Sequence, residues 1–203
     1  MIEEKSLLKT EGIVLKSFNY KENERICTLY TEDAGLISLI MKGIGPKKSE
    51  LLTLSTPFSR AEFVYIKTKS DLFRYYDGSI LDNHMLLRLN LDHLKAAAEL
   101  TNSICLSQLP LKPDPLIYAL LRSFLKQIVH FKDPSSLVSS FYLKLLKHEG
   151  VLALDKNAFF QEVEKEICLK LILETQFSEL QKIYVSVELK RKIEHLFKEL
   201  LAV

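Results

Sequence analysis

Between Gly12 and Ile80 the chain sets short apolar runs between polar turns. After Asp82 its apolar positions recur every three to four residues. The first pattern is that of strands, the second that of amphipathic helices. Gly12 to Phe18 is rich in β-branched and apolar residues and predicts a strand, followed by a polar turn over Asn19 to Glu24. Arg25 to Thr31 predicts a second strand, with Ile26, Thr28 and Tyr30 on one face and Arg25, Cys27 and Leu29 on the other. Glu32-Asp33-Ala34-Gly35 reads as a hairpin connection, because Gly35 can supply the positive φ such a turn requires. Leu36 to Lys42 predicts the third strand, with Ile37, Leu39 and Met41 opposed to Leu36, Ser38, Ile40 and Lys42. Gly43 to Ser49 interrupts it with two glycines, a proline and adjacent lysines, a solvated basic loop. Phe58 to Lys67 and Leu72 to Ile80 complete a set of five strands. That count and size suit a small closed barrel; an OB-type barrel fits, and so, on periodicity alone, does an SH3-like one.

The helical period starts with Leu87, Leu91, Leu94, Ala98, Thr101 and Cys105, with Asp82 or Asn83 as the N-cap. Three prolines between Leu109 and Pro115 end that segment and open the next, whose stripe is Leu116, Leu120, Phe124 and Ile128. Ser135 or Ser136 is placed to cap a third helix with Val138, Phe141, Leu145 and Leu146 inward and Gly150 as its C′ residue. Asn157 is placed to cap a fourth, with the stripe Phe160, Val163, Ile167 and Leu171. A last helix from Ser186 or Val187 carries Leu189, Ile193, Leu196 and Leu200. The expected architecture is therefore α+β: a five-stranded barrel over residues 1–81 and an all-helical domain over 82–203.

Composition narrows the function classes. At 203 residues, 47% hydrophobic and 27% charged, the chain is an ordinary globular one. A net charge of only +2 means that any nucleic-acid surface has to come from local clustering. Cys27, Cys105 and Cys168 are odd in number, far apart and set among apolar neighbours. They read as small core residues rather than as a disulfide framework or a zinc site. The first residues lack the pattern of a signal peptide, and charges interrupt every apolar stretch before a membrane-spanning length. A cytoplasmic protein without a membrane partner is the expectation. His84, His93, His130, His148 and His195 are scattered without a metal-binding spacing, and no serine lies in a nucleophile elbow. Nothing points to catalysis, a cofactor or a metal.

The order of T-E-G-I-V-L-K from Thr10, E-R-I-C-T-L-Y-T from Glu24, G-L-I-S-L-I-M-K-G from Gly35, Lys48-Ser49 and Pro57-Phe58 resembles the RecO family of bacterial recombination mediators. F-Y-L-K-L-L-K-H-E-G, Phe141 to Gly150, is similar to the family's helix that ends before its zinc-binding region. The resemblance implies an OB-fold ahead of a helical domain and a protein that is not an enzyme. It also implies binding to single- and double-stranded DNA, annealing of complementary strands, and loading of the RecA recombinase together with RecR. A further implied partner is the C-terminal tail of single-stranded-DNA-binding protein. Beyond Gly150 the likeness fades. Many members carry a cysteine-rich zinc site there, whereas this chain has only Cys168, so it reads as a short member lacking the zinc-binding cysteines.

Candidate DNA contacts follow from charge and context. Lys42, Lys47 and Lys48 flank the glycine-rich loop, where ammonium groups can follow a phosphate backbone and release counterions. A solvated basic loop is the plainer reading on composition, and the family likeness favours DNA. Lys16 and Arg25 match basic positions of the family's first two strands, although Arg25 also follows Glu22 and Glu24 and suits a surface ion pair. Arg74 lies among Phe73, Tyr75 and Tyr76. There Phe73 reads as core, and the tyrosines are open to base stacking. Lys67 and Lys69 are weaker candidates. For an acidic, aromatic protein tail, Lys112, Arg122, Lys126 and Lys132 form a basic rim on or beside a helix carrying Phe124 and Leu125. A solvated amphipathic face is the plainer reading of those four. The alternative function is an OB-fold scaffold that binds a protein partner with no direct DNA role.

Overall fold

In the computed structural model, residues 7–44, 49–154 and 159–201 are described. Five strands form a closed barrel in the order β1-β2-β3-β5-β4: β1 (Leu7–Lys21), β2 (Glu24–Thr31), β3 (Gly35–Lys42), β4 (Arg60–Ile66) and β5 (Leu72–Asp82). All five expected strands are present, and the order is that of an OB-fold. β1 is long enough to serve two neighbours. Its first half, Leu7 to Ile13, pairs with β4, and Gly12 to Lys21 pairs with β2. β3 and β5 run parallel and close the barrel.

The barrel's inner face is filled by Val14, Cys27, Leu29, Ile37, Leu39, Met41, Ala61, Phe63, Tyr65 and Phe73. Cys27, Leu29, Ile37, Leu39 and Met41 among them are the alternate positions of β2 and β3 that the sequence sets opposite Ile26, Thr28, Ser38 and Ile40. Each large side chain fully buried there contributes about 1.5–3 kcal/mol over leaving it exposed. A short helix that the strand pattern does not predict, α1 (Ser49–Leu54), lies between β3 and β4 and adds Leu54 to this core. The hairpin between β2 and β3 is closed by Thr31, whose hydroxyl donates to the Gly35 carbonyl at 2.9 Å and accepts from the Ala34 amide at 3.2 Å. Gly35 has φ +68°, the conformation expected of it. A Cβ there would fall on the carbonyl of Lys112, so the glycine also allows a close backbone approach.

The chain forms two compact units, and their division is not a single cut. Residues 1–85 group with 108–122, and 86–107 group with 123–203. The return of 108–122 to the barrel unit has no signature in the periodicity. That segment is tied down within its unit: the Leu111 amide donates to the Leu36 carbonyl at 3.1 Å, and Tyr118 stands against Tyr30 with centroids 6.3 Å apart.

The second unit is built on α4 (Ser135–His148), in which every residue from Ser136 to Leu143 is buried. Around it pack α2 (Leu91–Ser107), α5 (Glu162–Leu173), the short α6 (Phe177–Leu180) and α7 (Val187–Leu201). α3 (Pro115–Gln127) begins in the first unit and ends in the second. The inward residues expected of α4 are buried, and Gly150 follows it at φ +72°. Three predicted stripes hold only in part. In α2 the predicted Thr101 is buried, together with Ala97, Leu100 and Ile104, while Leu91 and Ala98 are exposed. Leu87 belongs to a separate 3-10 turn (Met85–Leu89), so the helical phase restarts at Asn90, whose side chain caps α2. In α3 the predicted Phe124 and the following Ile128 are buried, but the first turns bury Ile117, Tyr118 and Leu121 and leave Leu116 exposed, with Tyr118 bonded to Glu11. α5 starts at a Gln161–Glu164 capping box and buries Cys168, Leu171 and Ile172, leaving Val163 outside. The predicted cap Asn157 lies outside the described residues. Asp82 and Asn83 accept from the His84 and Met85 amides and so open the 3-10 turn rather than α2. Pro134 occupies the N-cap position of α4, ahead of the expected Ser135 or Ser136.

Candidate nucleic-acid interface

The outward face of the barrel is set by strand parity, and one irregularity decides it. Val14 pairs with the inward Leu29 of β2, and Lys16 pairs with the outward Thr28, so Leu15 is an extra residue on β1. Without that bulge Lys16 and Phe18 would point into the barrel with Val14, because one added residue exchanges the two faces of a strand. With it, the registers align Phe18 with Ile26, Ile26 with Ile40 and Ile40 with Arg74, one lateral row across β1, β2, β3 and β5. At about 4.8 Å between strands the row spans about 14 Å. A second row, Lys16, Thr28, Ser38 and Leu72, lies beside it. Phe18 and Arg74 are exposed at the two ends of the first row, and the two isoleucines are half-buried between them.

Two further irregularities fall on exposed tyrosines of β1 and β5, the two end strands of this face. Tyr20 is the extra residue between Asn19 and Lys21 on β1, and Tyr76 is the extra residue between Tyr75 and Asp77 on β5. Phe18, Tyr20 and Tyr76 are 54%, 52% and 62% exposed. Phe73, expected as core, is buried and stacks on Tyr65 at 5.7 Å. Tyr75 is half-buried, and burial followed by the charges of Asp77 and Glu50 raises its hydroxyl to about 12.

The predicted cations divide by what they touch. Lys16 and Arg74 are exposed on the outer face, and neither is paired with a carboxylate among the described residues. Lys42 is exposed but sits 3.0 Å from Glu24, so a phosphate would have to compete for it. Arg25 has the opposite parity. Its Nε donates to Asn19 Oδ1 at 2.9 Å and its Nη1 to Ser55 Oγ at 3.1 Å, which ties the start of β2 to the residue just after α1. It lines an open groove of about 540 Å³ with Ser17, Phe18, Asn19, Leu52, Thr56 and Pro57. Lys47 and Lys48 lie outside the described residues. Lys67 stands 6.0 Å from the Phe73 ring centroid, and Lys69 is exposed in the β4–β5 turn.

The four residues considered for a protein tail are shared between the units: Lys112 and Arg122 in the first, Lys126 and Lys132 in the second. Lys112, Lys126 and Lys132 are exposed. Arg122 is 3.6 Å from Glu11, a carboxylate that also accepts from Arg60 at 2.9 Å and from the Tyr118 hydroxyl at 2.8 Å. Burial alone would raise Glu11, but the Tyr118 hydrogen bond and the two arginines hold it below the usual carboxylate range. This cluster fastens the first turns of α3 to β1, and sequence reasoning missed it. Its one signal was an acidic residue on an outward strand position with no lysine or arginine adjacent in sequence.

The zinc site that the family likeness implies does not fit the residues described. Cys168, the one cysteine after Gly150, is fully buried in α5, and burial together with Glu164 pushes its thiol up to about 12. Among the described residues no group of three or more His, Cys, Asp or Glu side chains could hold a metal ion. No described helix is long and apolar enough to cross a membrane.

Comparison with known proteins agrees with the barrel. Residues 5–84 match the family model described as "Recombination protein O N terminal". The DNA repair protein RecO of Clostridium acetobutylicum is 30% identical over 149 residues, covering 71% of this chain and 59% of the relative. RecO of Clostridium perfringens is 28% identical over 149 residues with the same coverage, and that of Bacillus pumilus 28% over 145 residues, 71% of this chain and 56% of the relative. The chain thus spans a little under three-fifths of the length of these relatives. From its barrel order, its matched N-terminal region and these relatives, the chain belongs to the RecO family.

Proposed function

We propose that this chain acts in DNA repair as a recombination mediator whose barrel binds DNA. The observation that carries the reading is the outer face of β1, β2, β3 and β5. There Lys16 and Arg74, which have no carboxylate partner among the described residues, stand beside an apolar strip, Ile26 and Ile40. Cations without carboxylate partners give up only solvent and counterions when a phosphate arrives, which favours association at low salt. Lys42 contributes once Glu24 releases it, and Lys47 and Lys48 extend the same basic stretch in sequence. Arg25 acts chiefly as a positioning residue, because its guanidinium is engaged by Asn19 and Ser55.

On this reading the protein binds single- and double-stranded DNA, anneals complementary strands, and with RecR helps load RecA onto DNA coated by single-stranded-DNA-binding protein. Lys126 and Lys132 in the helical unit and Lys112 and Arg122 in the barrel unit are the proposed contacts for that protein's acidic tail. A protein of this kind needs no catalytic group. Strand annealing by the full chain tests the reading. Wild type should accelerate annealing of complementary oligonucleotides, and a K16A/R74A variant should lose most of that acceleration. Equal annealing by both would remove the face from the account, and no annealing by wild type would favour a scaffold that binds a protein partner.

A further inference from the structure

We infer that the outer face of the barrel selects single strands by stacking unpaired bases on Phe18, Tyr20 and Tyr76, apart from its phosphate contacts. The inference rests on the reading of this face as the DNA surface and says which form of DNA it is built for. The first observation is that the three rings are more than half exposed, whereas Phe63, Tyr65 and Phe73 of β4 and β5 are used inside the barrel. Among the described residues Phe18 and Tyr76 pack on no other ring. Tyr20 has Lys21 over it, 5.5 Å from the centroid, a cation that can stay with the ring when a base takes its other side.

The second observation is how the rings come to be outside. Leu15 is the bulge that turns Phe18 outward, and Tyr20 and Tyr76 are themselves bulge residues on β1 and β5. Bulges re-aim side chains at functional edges, and three that each accompany an exposed aromatic on β1 or β5 are a pattern that barrel closure does not require. The third observation is the floor: Ile26 and Ile40 separate Phe18 from Arg74 in the lateral row. A base lying on Phe18 would cover apolar surface, with cations at both margins to meet the backbone.

Duplex DNA cannot use such a surface. Its base faces are covered by their neighbours, and only base edges reach the grooves. A single strand offers every base face, and a stacked base contributes about 1–3 kcal/mol regardless of sequence. The rings therefore add to single-strand affinity and leave duplex affinity to the cations. An acidic, aromatic peptide is the other occupant that the same chemistry admits. The four-strand width of the face, with Lys16 on β1 and Arg74 on β5, favours an extended polyanion.

The test is fluorescence anisotropy on the full chain with an oligothymidylate, a duplex of equal length and an abasic oligonucleotide of equal length. For F18A/Y20A/Y76A, checked for native circular dichroism, single-strand affinity should fall by at least about tenfold and duplex affinity by less than about twofold. Wild type should bind the abasic strand about as weakly as the triple variant binds oligothymidylate, a comparison that needs no mutation and survives a folding failure. K16A/R74A should weaken both DNA forms together. If K16A/R74A weakens both forms but the aromatic variant and the abasic strand change nothing, stacking is refuted and the face remains a DNA surface. If neither variant alters DNA binding, the reading of the face falls and the inference with it. An oligothymidylate affinity that is unmoved while an acidic aromatic peptide is lost from the triple variant overturns the inference in favour of the peptide.

Discussion

The helix contacts of the second unit and the outer face of the barrel use their cations differently. In the helical unit, Lys144 donates to the Ile172 and Glu174 carbonyls at 2.7 and 2.8 Å, Lys192 pairs with Glu164 at 2.8 Å, and Lys190 pairs with Glu99 at 2.9 Å. These lysines hold helices together. Lys144, reaching from α4, satisfies carbonyls at the end of α5 that the helix itself leaves open. On the outer face of the barrel, Lys16 and Arg74 hold nothing within the described chain. A cation that is structurally idle and set beside exposed aromatics is available to a ligand. One that caps a helix is not.

The largest effect expected from this contrast is on the backbone. Gly35 and Gly150 both have positive φ, +68° and +72°. Only Gly35 has a carbonyl where its Cβ would stand, whereas nothing lies within 4 Å at Gly150. Gly35→Ala should cost the barrel unit about 2–4 kcal/mol and Gly150→Ala about 1 kcal/mol, read from urea midpoints. Equal costs would mean that the approach of Lys112 to the β2–β3 hairpin does not constrain the barrel. Next in size is Lys144→Met, which leaves the Ile172 and Glu174 carbonyls without their donor. About 2–3 kcal/mol of helical-unit stability should go, with DNA affinity unchanged within about twofold. A fall in DNA affinity without a fall in stability would reverse the assignment of roles.

Glu11 sharpens the comparison by pH. Its pKa in the folded barrel lies below the usual value, so the stability it contributes is fully present above the unfolded pKa and is lost as pH falls through the folded one. Thermal unfolding followed from neutral pH down through the carboxylate range should therefore show an acid limb that Glu11→Gln flattens. An identical limb in the variant would remove Glu11 from the account. Smallest is the effect at Lys42: Lys42→Ala should reduce DNA affinity by no more than about threefold, and Glu24→Gln should raise it by a similar factor, because Glu24 now shares that charge.

Much of the barrel was legible because a strand's alternation reports directly which side chains are buried. Cys27, Leu29, Ile37, Leu39 and Met41 all lie inside as their spacing indicates. What escaped were departures from regular period. The bulge at Leu15 leaves no mark in a run of apolar residues, yet it decides that Lys16 and Phe18 face outward. α1 is six residues long, too short for a helical period to declare itself. In the helical half, α4 is buried all round, so any stripe drawn along it would be found inside. α2 and α3 carry two competing stripes, and distant partners such as Glu11 choose between them. Arg25 teaches the same lesson for the site. Its parity with Cys27 and Leu29 was visible, but its commitment to Asn19 and Ser55 depends on α1.

The central claim is that Lys16 and Arg74 form the phosphate-binding edge of the barrel's outer face, and the salt dependence of DNA binding tests it most directly. The logarithm of single-strand affinity, measured against the logarithm of salt for wild type and K16A/R74A, has a slope that counts released counterions. Removing two phosphate contacts should make that slope shallower by about 1.4. A variant that binds more weakly with the wild-type slope, or that binds as wild type does, would contradict the account.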